Sequence, residues 1–368
     1  MSPKFKRNLS RVLPFGAIWL VISWFSMIND LTLTRNQNLN PDTDVSLTFP
    51  VFIFASLASA SVGLLVGYLE MVRLHRRLRH LSFLRGLIIK LLLYLLVMIV
   101  IVVILYPFAA SIELGLSVFD KEIYEKTARF LVSYTFLNTL IQLGFSLMIC
   151  LVYAGFSEHL GHQFLRKLVT GKYHRPQEEH RIFMFLDMNG STTIAEKLGH
   201  IQYFDLLQDY YEIMSDPIIN HEGEVYQYVG DEVVITWKAR EGTARNNCVA
   251  CFFGIGENIE KQANHFKEKY GVIPHFKAGL HLGKVTTGEI GALKKEIVFT
   301  GDVLNAAARI QGLCKTYQRP LIVSKELLEE MSDPSQFQVE ALGSTQLRGR
   351  EEPVELFAVS RTAVSRIN

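Results

Sequence analysis

Two acidic residues stand where an apolar run ends in a glycine turn: Asp187 in FLDMNGST and Asp231 in YVGDEVV, 44 positions apart. If the first run is a strand and the second a hairpin of the same sheet, both carboxylates reach one spot. Carboxylates held that close repel unless a cation neutralises them, and a hard cation such as Mg²⁺ takes carboxylate oxygen together with substrate phosphate. Asn189-Gly190-Ser191-Thr192 follows directly and leads into a predicted helix, whose free N–H groups favour an anion. The chemistry read from these segments is metal plus polyphosphate. From these residues alone a plainer reading stays open, with Asp187 a helix cap and Asp231 an ordinary turn residue. A third segment, TGDVLNAAAR, sets Asn305 and Arg309 one helical turn apart, on one face. An amide and a guanidinium so placed suit a ribose oxygen and a phosphoryl group gaining charge in a transition state.

A sheet must bring these segments together. Strands are expected at 182–186, at 224–229 and 232–237 (joined at Gly230-Asp231), at 277–282, 297–299 and 321–323. Helices are expected at 203–214, 244–269 and 303–313, with a glycine-rich turn region from 283 to 291. The β-α-β-β-α-β order is the α+β, ferredoxin-like pattern. Tyr226 and Tyr228 flank Gln227, and strand alternation puts both on the face opposite it. His281 alternates with Leu280 and Leu282 and reads as structural. Cys248 and Cys251 form a single C-x-x-C inside a helical run; without a second pair they read as helix core, not a zinc site.

The rest of the chain explains where such a domain sits. Of 368 residues, 49% are hydrophobic and 20% charged, with a mean hydropathy of +0.18. Residues 1–180 carry 18 Lys+Arg against 11 Asp+Glu, and 181–368 carry 20 against 25. A basic N-terminal half and an acidic C-terminal half exclude a disordered chain and argue against a nucleic-acid partner, which needs a concentrated basic excess. Uncharged runs at 12–28, 51–69, 91–112 and 130–154 match the ~20 residues a membrane-spanning helix needs. These give a four-helix transmembrane domain (1–155), a juxtamembrane linker helix (156–180) and a soluble domain (181–368). Lys and Arg number four, six and four in 1–11, 70–90 and 155–180, but one and three in 29–50 and 113–129. Both termini are therefore expected on the cytoplasmic side of the membrane. Ala55, Ser59, Gly63 and Gly67 recur every four residues, a spacing that lets helix backbones approach, either between two copies or inside the bundle. His75, His80, His159 and His162 lie at the cytoplasmic ends of the spans; polar interfacial residues are the plainer reading beside a metal or haem site. The outer loops are too short for a folded ligand-binding domain.

Four segments in order, FLDMNGST, YQYVGDEVV, GLHLGKVTTGEIG and TGDVLNAAARIQ, resemble the class III nucleotidyl cyclases, the adenylate and guanylate cyclase family, over about residues 181–360. The resemblance implies a membrane-anchored adenylate cyclase that converts ATP to 3′,5′-cyclic AMP and pyrophosphate. It implies two Mg²⁺ or Mn²⁺ ions per site on Asp187, Asp231 and the backbone of Met188. Asn305 would orient the ribose and Arg309 would stabilise the pentavalent phosphorus. Asn189, Gly190, Ser191, Thr192, Lys284, and Arg348 or Arg350 in LRGR would meet the triphosphate. Family sites form between two domains, so a homodimer is implied, with the metal pair on one chain and Asn305 and Arg309 on the other.

The base-reading pair departs from the family pattern. Adenylate cyclases of this class commonly carry Lys four residues before the second metal Asp, and Asp or Thr seven before the Asn; here these are Gln227 and Val298. Gln can donate or accept, whereas Val does neither. A cyclase of other base specificity, for GTP or a pyrimidine triphosphate, is therefore the alternative, with a silent nucleotide-binding sensor behind it. A diguanylate cyclase shares the Gly230-Asp231-Glu232 hairpin but not the Asn305/Arg309 pair. A transporter is poorly supported by spans with few buried polar groups.

Overall fold

The computed structural model describes residues 2–34, 45–74, 83–160, 171–348, 350 and 352–361. The chain divides into two compact units, Phe5–Val169 on the one hand and Met1–Lys4 with Thr170–Asn368 on the other.

The first unit is helical. Helices α1 (Pro3–Thr34), α2 (Phe49–Tyr68, continuing as a π-helical turn Leu69–Leu74), α3 (Phe83–Leu114) and α5 (Tyr134–Leu160) are long and apolar enough to cross a bilayer. The amphipathic α4 (Lys121–Leu131) lies between α3 and α5. Large apolar side chains such as Phe25, Leu57, Leu92 and Leu96 are exposed on the outside of the helices, a surface compatible with lipid. The seam between the helices is Phe15, Trp19, Val66, Met98, Leu147 and Leu151.

Gly63 and Gly67 close α2 onto α1. A Cβ at Gly63 would stand 2.7 Å from the Phe15 carbonyl oxygen, and one at Gly67 2.8 Å from the Phe15 ring. The small-residue stripe is thus occupied inside the bundle, the intramolecular of the two expected uses. The expected fourth span starts late. Phe130 belongs to α4, where it is buried and stacks on Tyr106 at 3.8 Å, and the span begins at Tyr134. Lys126 of α4 is buried with its ammonium on Glu113, which explains how a charged stretch folds back on the bundle. Glu70, in the π-helical turn, accepts from Lys90 and from the Tyr94 hydroxyl at 2.9 Å. His75, His80 and His162 lie outside the described residues, as do the His159 side chain and residues 161–170 of the expected linker helix.

The second unit is built on one mixed sheet. Its elements are β1 (Gln177–Met188), α6 (Ser191–Leu198), α7 (His200–Asn220), β2 (Glu224–Val229), β3 (Glu232–Lys238), α8 (Ala239–Thr243), α9 (Asn247–Lys261), α10 (Ala263–Tyr270), β4 (Phe276–Ile290), β5 (Glu296–Thr300), α11 (Asp302–Tyr317), β6 (Leu321–Ser324), α12 (Lys325–Glu330), β7 (Phe337–Thr345) and β8 (Val354–Arg361). The strand order is β2-β3-β1-β4-β6-β8-β7, with β5 pairing with β4 off this path. Its first four strands have the ferredoxin-like order, and β4–β6 is a parallel pair. Ile182, Met184, Leu186, Val233, Ile235 and Trp237 line one face with α7 and α9. Phe183, Phe185, Val234 and Phe299 line the other with Val303 and Ala307 of α11. Cys248, Cys251 and Cys314 are buried and unbridged.

Two expected elements differ. The helix expected at 244–269 starts late, at Asn247, because Arg245 and Asn246 take positive φ (53° and 55°) and the buried Asn246 amide clamps the segment at 332–333, and it breaks at Gln262, between α9 and α10. The glycine-rich stretch after 282 is strand, not turn. Along β4 the glycines mark close approach: a Cβ at Gly279 would sit 2.2 Å from the Gln311 nitrogen, and one at Gly283 2.6 Å from Val303.

Candidate active site

Register sets the carboxylates. Leu186 of β1 pairs with Val233 of β3, so Asp231, in the two-residue turn before β3, stands across from the end of β1 where Asp187 lies. Gly230 makes that turn possible with φ +64°. The Asp231 carboxyl is pushed above its usual range, first by burial, then by the Asp187 carboxylate within hydrogen-bonding reach; the Ser191 hydroxyl pulls the other way. Burial, then these two carboxylates, also raises the neighbouring Glu232, and burial with Asp231 raises the Tyr203 hydroxyl. One Asp231 oxygen, Oδ2, is buried with no hydrogen-bond partner. A buried acceptor without a partner beside a second carboxylate is the donor set a divalent cation fits. Among the described residues no group of three or more His, Cys, Asp or Glu side chains is gathered for a metal, so two carboxylates are the side-chain share, and further oxygens must come from backbone, water or ligand.

Asp187 is not a helix cap. Gly190, at φ +69°, is the N-cap of α6, and the Asp187 carboxylate faces the sheet, where its Oδ2 takes an ion pair from Lys277 (3.2 Å) and a hydrogen bond from Gln311 (3.1 Å). Met188 is buried, whereas Asn189, Gly190 and Thr192 are exposed and Ser191 half-buried at the start of α6.

Asn305 and Arg309 share a face of α11, and that face turns away from Asp187. Gln311, which touches Asp187, lies two residues beyond Arg309, about 200° around the helix. Arg309 Nη1 is buried and without a partner, and Asn305 is exposed. The chain therefore presents two polar clusters on different sides, an acidic one at Asp231 and a cationic one at Arg309, each with a buried polar atom that has no hydrogen-bond partner.

The remaining expected residues separate. Lys284 is exposed on β4, its carbonyl against Gly301 at the entry to α11. Arg348 is exposed. Arg350 is engaged: its Nε pairs with Asp302 at 2.7 Å and its Nη1 donates toward His281 Nε2 at 3.5 Å, so in the protomer it holds the start of α11 and is not free for a triphosphate. His281 is structural, buried with Nδ1 on Ser324 at 2.7 Å; burial, with Arg350, lowers its pKa to about 4.

Gln227 is exposed and Val298 half-buried. Alternation fails at this strand. A bulge between Val225 and Gln227 puts Tyr226 on the same face as Gln227, where it packs on Phe299 at 5.0 Å. Tyr228 falls on the other face, 4.3 Å from Tyr211. The Tyr226–Phe299 contact sets the adjoining residues, Gln227 and Val298, on neighbouring stretches. Lys277, Gln311, Glu232 and Tyr203 were not singled out from sequence. Lys277 was discoverable once β1–β4 register was known (Asp187 pairs with Lys277), and Gln311 from its offset on α11.

Residues 174–360 match the family described as the adenylate and guanylate cyclase catalytic domain. Adenylate cyclase 2 of Rhizobium meliloti (strain 1021) is 35% identical over 208 residues, 56% of this chain and 57% of that protein. Adenylate cyclase 1 of the same organism is 27% identical over 180 residues, 48% of this chain and 27% of that protein. The chain thus spans little more than half, or less, of these relatives' lengths. A bacterial light-regulated adenylyl cyclase structure superposes with TM-score 0.51 at 21% identity, covering 62% of this chain and 65% of that one, which shows the fold. With the ordered motifs, the sheet topology and a domain match over half its length, the chain belongs to the adenylate and guanylate cyclase catalytic-domain family, the class III nucleotidyl cyclases.

Proposed function

We propose that the chain is a membrane-anchored adenylate cyclase that converts ATP to 3′,5′-cyclic AMP and pyrophosphate at sites shared between two copies. The observation that carries this is a pair of buried polar atoms without hydrogen-bond partners, Asp231 Oδ2 and Arg309 Nη1, in two clusters that point apart within one chain. A twofold dimer brings each against the other's complement and makes two equivalent sites.

Asp187 and Asp231, with the Met188 backbone, would hold Mg²⁺ or Mn²⁺. Bound there, two such ions would lower the pKa of the ribose 3′-hydroxyl and neutralise the departing pyrophosphate. The partner's Asn305 orients the ribose, and its Arg309 donates to the α-phosphoryl oxygens as their charge grows. Lys284, Arg348 and the N–H groups at the start of α6 (Asn189 to Thr192) bind the triphosphate. The 3′-hydroxyl proton passes to water; His281 is buried and engaged at both nitrogens, by Ser324 and Arg350, and takes no part.

The four apolar helices and the Lys/Arg distribution support a multi-pass plasma-membrane (bacterial inner-membrane) protein with both termini cytoplasmic. Val298, with no hydrogen-bonding group at the base-reading position, supports a second reading in which GTP or a pyrimidine triphosphate is also cyclised. Purified protein incubated with Mn²⁺ and each ribonucleoside triphosphate separately, with products resolved by mass, tests both. Cyclic AMP in excess and its loss in Asp231→Asn are expected. A different dominant cyclic nucleotide would overturn the substrate, and nucleotide binding without product would overturn the activity.

A further inference from the structure

Within the helical unit a cavity of about 330 Å³ runs from the middle of the bundle, at Trp19 and Ser146, to the end where α1 gives way to α2, at Val45 and Phe130. This is in the range of small-molecule sites and roughly twice the ~150 Å³ that accommodates benzene. Its walls are apolar, and among the described residues no charged side chain lines it.

The polar groups that do line it are unevenly satisfied. Ser26 donates to Gln142 Oε1 (2.7 Å), Ser59 to the Trp19 carbonyl (3.0 Å), Ser146 to the Gln142 carbonyl (2.9 Å) and Thr139 to the Thr135 carbonyl (2.8 Å). Those hydroxyl protons are engaged. Left over are donors: the Gln142 amide NH₂, and the indole Nε1 of Trp19, a residue 4% exposed whose N–H has no hydrogen-bond partner and only the weakly accepting Cys150 sulfur nearby. Ser23 adds one hydroxyl able to donate or accept. A buried indole N–H in hydrocarbon is costly to leave unpaired, and a ligand acceptor would satisfy it. Aromatic rings (Trp19, Phe54, Tyr106 and Phe130) stand around the same space.

We propose that this cavity binds an uncharged lipophilic ring compound carrying carbonyl oxygens, the chemistry of a quinone. Two leftover donors select an acceptor-bearing ligand, the absence of lining charge selects against a carboxylate, and the aromatic walls suit a flat ring. The site stands independently of the cyclase reading, because it rests on the helical unit alone.

The test is equilibrium binding of labelled decylubiquinone to the full-length protein in lipid nanodiscs, with empty nanodiscs as the partition control. Saturable binding near one per chain is expected. Trp19→Phe and Gln142→Leu each remove one donor and should weaken it about 2- to 10-fold. Ala58→Phe, which fills the cavity, should abolish it. Dodecane, which lacks an acceptor, and dodecanoate, which is charged, should compete poorly. Absence of saturable binding, or binding untouched by Ala58→Phe in a variant with wild-type elution and helix content, overturns the proposal. So does equal competition by dodecane, which would make the cavity a simple apolar void, or stronger competition by dodecanoate. Gln142→Leu, an apolar change in an apolar helix, keeps the test decisive if Trp19→Phe fails to fold.

Discussion

If each active site draws its carboxylates from one protomer and its Asn/Arg face from the other, two dead variants should revive each other. In one chain Arg309 and the Asp187-contacting Gln311 diverge by about 200° around α11, too far for Arg309 to turn onto its own carboxylates without unpacking the helix from β4. Arg309→Ala alone removes a transition-state donor and should lower turnover ~10²- to 10³-fold. Asp231→Ala alone should do at least as much by removing a cation ligand. In a heterodimer of the two, one site carries both lesions and the other carries neither. Random pairing makes about half the dimers mixed, each with one of two sites intact, so co-expression should restore about a quarter of wild-type activity. That stands ~25- to 250-fold above the Arg309→Ala parent. Tandem purification through two tags should raise the figure to about half per dimer. The assay is cyclic nucleotide released per mole of protein, with dimerisation of each variant checked by cross-linking. Tandem-purified heterodimers no more active than their parents would refute the shared site and place all four residues in one chain's active centre.

Gly279→Ala puts a methyl group 2.2 Å from the Gln311 nitrogen; pushing α11 off β4 should cost at least ~1–3 kcal/mol in thermal denaturation and misplace Asn305 and Arg309. Glu179→Gln takes the close carboxylate (2.7 Å) from Arg181, which is fully buried, and should cost roughly 3 kcal/mol. In the wild type burial alone would raise the Glu179 pKa, but Arg181, Lys172 and Tyr173 outweigh it and hold it at about 2; because the folded value lies below the ordinary 4.5, this stabilisation is complete above pH 4.5 and disappears as pH falls toward 2, which acid titration of the fold would reveal. Gln227→Lys combined with Val298→Asp installs the donor and acceptor that adenylate cyclases of this class commonly carry, and should raise the ATP-over-GTP ratio of kcat/KM ~10-fold or more; an unchanged ratio would remove both positions from base reading.

The placement of the candidate residues was legible because it is written in short contiguous strings. The strand end at Asp187, the turn at Asp231 and the shared helix face of Asn305 and Arg309 follow from local spacing, and the apolar helices from uninterrupted apolar length. What sequence did not give depends on contacts between distant segments. A bulge at Tyr226 cannot be seen in a strand that alternates properly on paper, and it moves Tyr226 onto the face of Gln227 while Tyr228 stays on the opposite one. The glycines of β4 look like turn residues until α11 and Val303 are found lying against them. The expected helix at 244–269 starts only after Arg245 and Asn246, residues with no Pro or Gly to announce it, because Asn246 is clamped by a segment more than 80 positions away. Arg348 and Arg350 were equivalent as letters; only Asp302 beside Arg350 separates them.

The two carboxylates are not equivalent either, and the difference can be measured. Asp187 already has cationic and amide partners in Lys277 and Gln311, whereas Asp231 has a buried oxygen with none and a like charge beside it. Removing the Asp231 charge from the metal-free protein relieves repulsion and desolvation, while removing the Asp187 charge leaves Lys277 half-buried without its ion pair. Asp231→Asn should therefore raise the melting temperature of the metal-free protein, by about 2–4 °C if the relief is ~1 kcal/mol, and Asp187→Asn should lower it by a similar amount. If the pair holds the proposed cation, Mn²⁺ should stabilise the wild type further, and both variants should lose that stabilisation along with activity, since each would lack one of the two carboxylates. A differential scanning measurement with and without Mn²⁺ separates the cases. Equal shifts of the same sign would mean that Lys277 and Gln311 do not neutralise Asp187 selectively. The carboxylate pair would then be symmetric, and the unpaired Asp231 oxygen would lose its standing as the reason a cation binds here.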